Sequence, residues 1–132
     1  MDGFAARCER LVELLREEAP SAEEQRRLSD RVIAAAHEED LFRSVVPSSL
    51  GGLAEPLDEL LGGTRILAHG DVASAWTLSF LVMHSWLMSK FPAAGVAEIF
   101  AAHPAPLAPA PLAPTGSITS TDDGVVLNGS WE

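Results

Sequence analysis

Asp71-Val72-Ala73-Ser74-Ala75-Trp76-Thr77-Leu78-Ser79-Phe80-Leu81-Val82-Met83-His84-Ser85-Trp86-Leu87-Met88 is the stretch on which the fold turns. Asp71 follows a glycine, and an aspartate there is placed to cap a helix, its carboxylate accepting from amides that the first turn leaves unpaired. The spacing predicts a helix to about residue 90, before Pro92 interrupts it. Trp76, Phe80, Met83 and Leu87 share one face, while Val72, Leu78, Leu81, Val82 and Met88 cover the others. A helix apolar all round is expected at the centre of a bundle. It approaches membrane-spanning length, but Ser74, Thr77, Ser79, His84 and Ser85 interrupt it, so it reads as a buried helix.

Upstream, residues 4–18 place Cys8, Leu11, Val12, Leu14 and Leu15 among Glu and Arg, an amphipathic pattern expected to end at Ala19-Pro20. Ser21-Ala22-Glu23-Glu24 then has the form of a capping box for a second helix to about residue 39, with Leu28, Val32, Ile33, Ala35 and Ala36 as its buried stripe. Pro47 and Gly51-Gly52 mark a structured loop, in which the glycines read as backbone punctuation. Pro56 opens a third helix, expected to run to His69 and stop at Gly70.

Downstream, residues 93–102 read as a short fifth helix. Residues 103–114 hold five prolines among Ala and Leu, a stiff extended connector. From Thr115 the vocabulary changes to Thr, Ser, Ile, Val and Gly. Two strand patterns, 116–121 and 125–131, flank the turn signal Asp122-Asp123-Gly124. Asn128-Gly129 is itself a hairpin signal, and only one of its arms is present, so the chain is expected to be the N-terminal part of a longer protein.

Nineteen acidic against nine basic residues give a net charge of −10, which argues against nucleic acid or an anionic membrane as partner. With 47% hydrophobic residues the chain should fold. Cys8 alone cannot make an internal disulfide, and no leader-like segment is visible, so the cytoplasm is the expected compartment.

Four histidines and one cysteine make no metal signature, and no Gly-x-Ser-x-Gly elbow or phosphate loop occurs. Cys8 lies in an amphipathic helix without an adjacent histidine and reads as structural. His84, one turn after Phe80 and two after Trp76, presents an imidazole among aromatic side chains. By itself such a histidine reads first as a hydrogen-bonded core residue.

The order of motifs resembles the N-terminal third of the acyl-CoA dehydrogenase fold, in its flavin-dependent monooxygenase branch of the two-component aromatic hydroxylase type. The resemblance rests on Val46-Pro47 with Gly51-Gly52, on Ala68-His69-Gly70-Asp71-Val72-Ala73-Ser74-Ala75-Trp76, on His84, on Pro114-Thr115-Gly116, and on Gly124-Val125-Val126-Leu127-Asn128-Gly129-Ser130-Trp131. It implies a mainly α chain. Residues 1–104 would be the N-terminal helical domain and 105–132 the incomplete start of a β-barrel middle domain, with 106–114 as its first strand.

The resemblance further implies reduced FMN or FAD as cofactor, supplied by a separate flavin reductase, and hydroxylation of an aromatic or polyketide-like small molecule with O2. His84 would be catalytic, assisting deprotonation of a substrate hydroxyl. Trp76, Phe80 and His84 would bind substrate, and Pro114, Thr115, Gly116 and Trp131 would lie at the flavin. The complete protein would be a homotetramer, without metal, nucleic acid or membrane. Two alternatives remain: an acyl-CoA dehydrogenase that keeps FAD bound and oxidises an acyl thioester, and a non-catalytic helical module binding a partner through its open sheet edge.

Overall fold

The computed structural model describes residues 2–111, 113 and 115–131. Five helices, α1 Phe4–Gln25, α2 Asp30–Glu38, α3 Leu57–Leu67, α4 Val72–Met88 and α5 Ala93–Ile99, precede two strands, β1 Ser117–Thr121 and β2 Gly124–Asn128. The chain is thus mainly α with one small antiparallel sheet, as its patterning predicts. Among the described residues no helix is long and apolar enough to cross a membrane.

The core is built from one stripe on each of α1 to α4. α1 contributes Phe4, Cys8, Leu11 and Leu15, α2 Val32 and Ala36, α3 Leu60 and Leu67, and α4 Ala75, Leu78 and Val82, with Leu41 and Phe42 from a 3-10 turn at Leu41–Arg43. Full burial of a side chain such as Leu15 contributes about 1.5–3 kcal/mol. α1 and α3 approach closely at Gly63, where a Cβ would overlap the Phe4 ring. Cys8 is fully buried in this seam, and burial pushes its thiol up to about 12, which leaves it a protonated packing group rather than a nucleophile.

The expected break at Pro20 does not occur. α1 passes through Pro20 and ends at Arg26, whose left-handed backbone (φ 54°) directs its amide onto the carbonyls of Ala22 and Glu23. Proline removes one helical hydrogen bond, and the turn beyond it is tied by Gln25, which donates to the Ser21 hydroxyl at 2.8 Å. Just before the proline, Arg31 of α2 donates to Glu18 at 2.9 Å. Ser21 is therefore inside α1 and caps nothing. The cap of α2 is Ser29, whose hydroxyl accepts from the Val32 amide at 3.3 Å.

α3 follows Pro56 as expected, and Asp71 caps α4 by accepting from the Ser74 amide at 2.7 Å. α4 is not at the centre of a bundle, however. α1, α3 and the 3-10 turn pack along one side of it, and Val72 and Trp76 remain 70% and 65% exposed. Before α3, Gly51 closes a second 3-10 turn, Ser48–Leu50, at φ 83°, a conformation that favours glycine, and its carbonyl accepts from Arg43.

One buried charge ties α1 to this loop. The Arg7 side chain is 4% exposed and forms a two-pronged ion pair with Glu55, from Nη1 at 3.2 Å and Nη2 at 2.5 Å. The guanidinium also donates to the Ser44 hydroxyl at 2.8 Å and to the Asp2 carbonyl at 2.6 Å.

β1 and β2 form a hairpin with Thr121 opposite Gly124, so the turn is Asp122-Asp123. After β2 the Trp131 indole folds back over Gly116 and Gly129, while the Thr115 hydroxyl donates to the Ser130 carbonyl at 3.0 Å. Nor do the described residues of 106–114 form a strand; they run extended and unpaired, since prolines lack the N–H that a ladder needs.

His37 of α2 places its ring 4.7 Å from Phe42 and 5.5 Å from His103. Burial first, and then the neighbouring His103, lower its pKa from the ordinary 6.5. The unfolded chain therefore binds a proton that the folded one resists, and stability falls as pH drops through 6.5 towards the folded value. Urea midpoints should decrease between pH 7.5 and 5.5, and His37→Gln should flatten that slope; an unchanged slope would place the titration elsewhere.

Candidate functional site

α4 carries an aromatic row, with Trp76 and Phe80 centroids 4.8 Å apart and Phe80 and His84 5.5 Å apart. His84, 8% exposed, points to the extended connector and meets the Ala108 carbonyl at 2.9 Å through Nδ1. A carbonyl only accepts, so Nδ1 carries the hydrogen. In the neutral ring Nε2 is then left with a lone pair.

The adjacent Ser85 donates to the Pro106 carbonyl at 2.9 Å. These two side chains dock the proline segment against α4. That segment forms the far wall of a cavity of about 580 Å³ lined by Phe80, His84, Pro109, Ala110, Pro111, Leu127 and Trp131. A fixed imidazole thus faces a space walled by aromatic, proline and aliphatic groups.

Of the sequence-predicted residues, Phe80, His84 and Trp131 come together in this cavity. Trp76 does not. It lines a separate, larger groove of about 1160 Å³ between the C-terminal part of α1, the start of α2 and α4, with Leu28, Ile33 and Val72. Thr115 and Gly116 stand behind Trp131 rather than on the cavity, and Pro114 lies outside the described residues. Ser85, Ala108 and Leu127 were not anticipated. The only sequence signal for the first two was the His84-Ser85 polar pair on an apolar helix opposite a segment rich in carbonyls and poor in N–H donors.

Gly116 sets the position of Trp131, because a Cβ there would overlap Cζ2 of the indole. Gly116→Ala should displace the indole and shift its fluorescence emission. Unaltered emission would mean that Trp131 does not rest on this glycine.

The chain is similar over nearly its whole length to oxygenase components of flavin-dependent monooxygenases. No family model matches it. The oxygenase subunit HsaA of a flavin-dependent monooxygenase from Mycobacterium tuberculosis is 28% identical over 126 residues, which is 96% of this chain and 32% of that protein. The oxygenase component of p-hydroxyphenylacetate 3-hydroxylase from Acinetobacter baumannii is 29% identical over 95% of the chain and 30% of its own length. The oxygenase component of a FADH2-dependent resorcinol hydroxylase from Rhizobium is 29% identical, covering 92% and 30%. The chain spans about a third of the length of the curated relatives it matches.

Proposed function

We propose that this chain supplies the N-terminal helical domain, residues 1–104, and the opening of the β domain, 105–132, of an oxygenase component with the acyl-CoA dehydrogenase fold, which hydroxylates a phenol or a polyketide-like aromatic. The observation that carries this reading is the convergence of His84 and Trp131, 47 positions apart in the chain, on one apolar cavity. The names of the relatives support the same reaction class.

The residues present fit the ring of a flavin. Trp131 is 40% exposed and offers a flat aromatic surface beside the cavity, backed by Gly116 and Gly129. Thr115 lies next to it, its hydroxyl bonded to Ser130. No Lys or Arg follows Lys90, so this part of the chain offers the flavin phosphate no cationic side chain. Reduced FMN or FAD, delivered by a reductase, supplies the activation of O2 when bound.

His84 holds the substrate hydroxyl at Nε2 and takes its proton as the ring carbon becomes nucleophilic. Its Nδ1–H remains on the Ala108 carbonyl, which fixes ring and tautomer throughout. Phe80, Leu127 and the prolines exclude water and orient the aromatic ring. Trp76, on the other groove, contacts substrate only where the ligand extends past Phe80. The complete assembly is a homotetramer in this reading.

The test supplies the gene product that carries this chain with enzymatically reduced flavin, a phenol and oxygen. One phenol, one O2 and one reduced flavin should give one catechol, one water and one oxidised flavin, with the new hydroxyl labelled from 18O2. Flavin oxidation that yields only hydrogen peroxide, for every phenol tried, would remove the hydroxylase reading.

A further inference from the structure

We propose that the cavity beside His84 selects an uncharged phenol and rejects the same phenol bearing a carboxylate; the inference rests on His84 as the group that holds the hydroxyl. Among the described residues His84 is the only titratable side chain on the cavity, and the other lining residues are aromatic, aliphatic or proline. An imidazole that donates through Nδ1 to a backbone carbonyl offers one further polar atom, which suits one hydroxyl. The volume, about 580 Å³, accommodates a substituted ring with an apolar or neutral tail.

A carboxylate entering this space finds no cation among the described residues of this chain. Arg7, Arg10, Arg16, Arg27, Arg31 and Arg43 are each engaged with acidic side chains on α1, α2 or the adjoining loops. Lys90 places its ammonium 5.0 Å from the centroid of the Trp86 ring. Arg26 belongs to the groove of Trp76, and Arg65 to α3. Pro109 and Pro111 on the wall have no N–H to offer in compensation. The net charge of −10 opposes an anion further. In this respect the cavity suits a ligand such as resorcinol, which one relative's name specifies, better than p-hydroxyphenylacetate, which another's does.

Three matched probes separate the two parts of the claim. At pH 7, methyl 4-hydroxyphenylacetate is neutral, 4-hydroxyphenylacetate is an anion, and methyl phenylacetate lacks the hydroxyl. Binding to the 132-residue chain is followed by the ring proton signals of His84 in NMR. The hydroxylated ester should bind at least about tenfold more tightly than the acid, because an unpaired carboxylate loses its hydration on entry. Ala110→Arg, at an exposed position on the cavity wall, should narrow or invert that ratio.

Equal binding of ester and acid, or tighter binding of the acid, overturns the charge selectivity. Equal binding of the two esters, with the acid still rejected, keeps the selectivity and removes His84 as the hydroxyl partner. Failure of all three probes to perturb His84 overturns the cavity as a binding site, whereas the flavin-dependent reaction stands or falls on isotope incorporation.

Discussion

Replacing His84 by alanine lowers phenol hydroxylation by about 100-fold or more, the range associated with loss of a positioned general base. Flavin affinity changes little, since the hydrogen bond that His84 makes is to the Ala108 carbonyl, not to Trp131 or Thr115. Reduced flavin is still reoxidised, but more of it ends as hydrogen peroxide. The variant's rate should recover in part as the pH approaches the phenol's own pKa of roughly 10, because solution then supplies the phenolate that the imidazole would have generated. Stopped-flow kinetics with product analysis read both effects. A variant with unchanged product yield, or with no recovery at high pH, would assign proton removal to another group.

Truncating Glu55 to alanine destabilises the fold by about 3 kcal/mol, the low end of what is seen when one partner of a buried ion pair is removed. Arg7 stays buried with its charge and loses both contacts of the two-pronged pair, keeping only Ser44 and the Asp2 carbonyl. Arg7→Met should cost less, because it takes the charge away together with its need for a partner. Thermal unfolding should place the alanine variant roughly 10 °C below the parent. A loss under about 1 kcal/mol would show that water reaches the pair and screens it.

Local signals in the chain were legible and distant ones were not. Asp71 and Pro56 announce their helices because capping and first-turn chemistry involve residues within one turn. The hairpin at Asp122-Asp123 is local in the same way. Pro20 misleads because the helix runs on through it to Gln25, and a capping motif such as Ser21-x-x-Glu24 has meaning only where the backbone leaves the helix. The Arg7 and Glu55 pair spans 48 positions and leaves no periodic trace.

For the site, His84 and Phe80 were legible from an aromatic row at spacing four. Trp76 fell into the other groove because successive steps of four residues drift around the helix, by about 80° between positions 76 and 84. Trp131 was anticipated through family resemblance, and its partner glycines explain how the chain brings it back beside β1.

The proline segment has a consequence for solubility. Beside it lies a hairpin whose Ile118, Val125, Val126 and Leu127 are all exposed, the sort of surface that recruits another extended backbone. Pro104, Pro106, Pro109 and Pro111 give 104–111 too few amide hydrogens to serve as that recruit, while its carbonyls at 106 and 108 are already occupied by Ser85 and His84. The connector can thus lie extended next to a sticky ribbon without being zipped into it. Exchanging these prolines for alanines would restore the donors and open the segment to pairing with the hairpin.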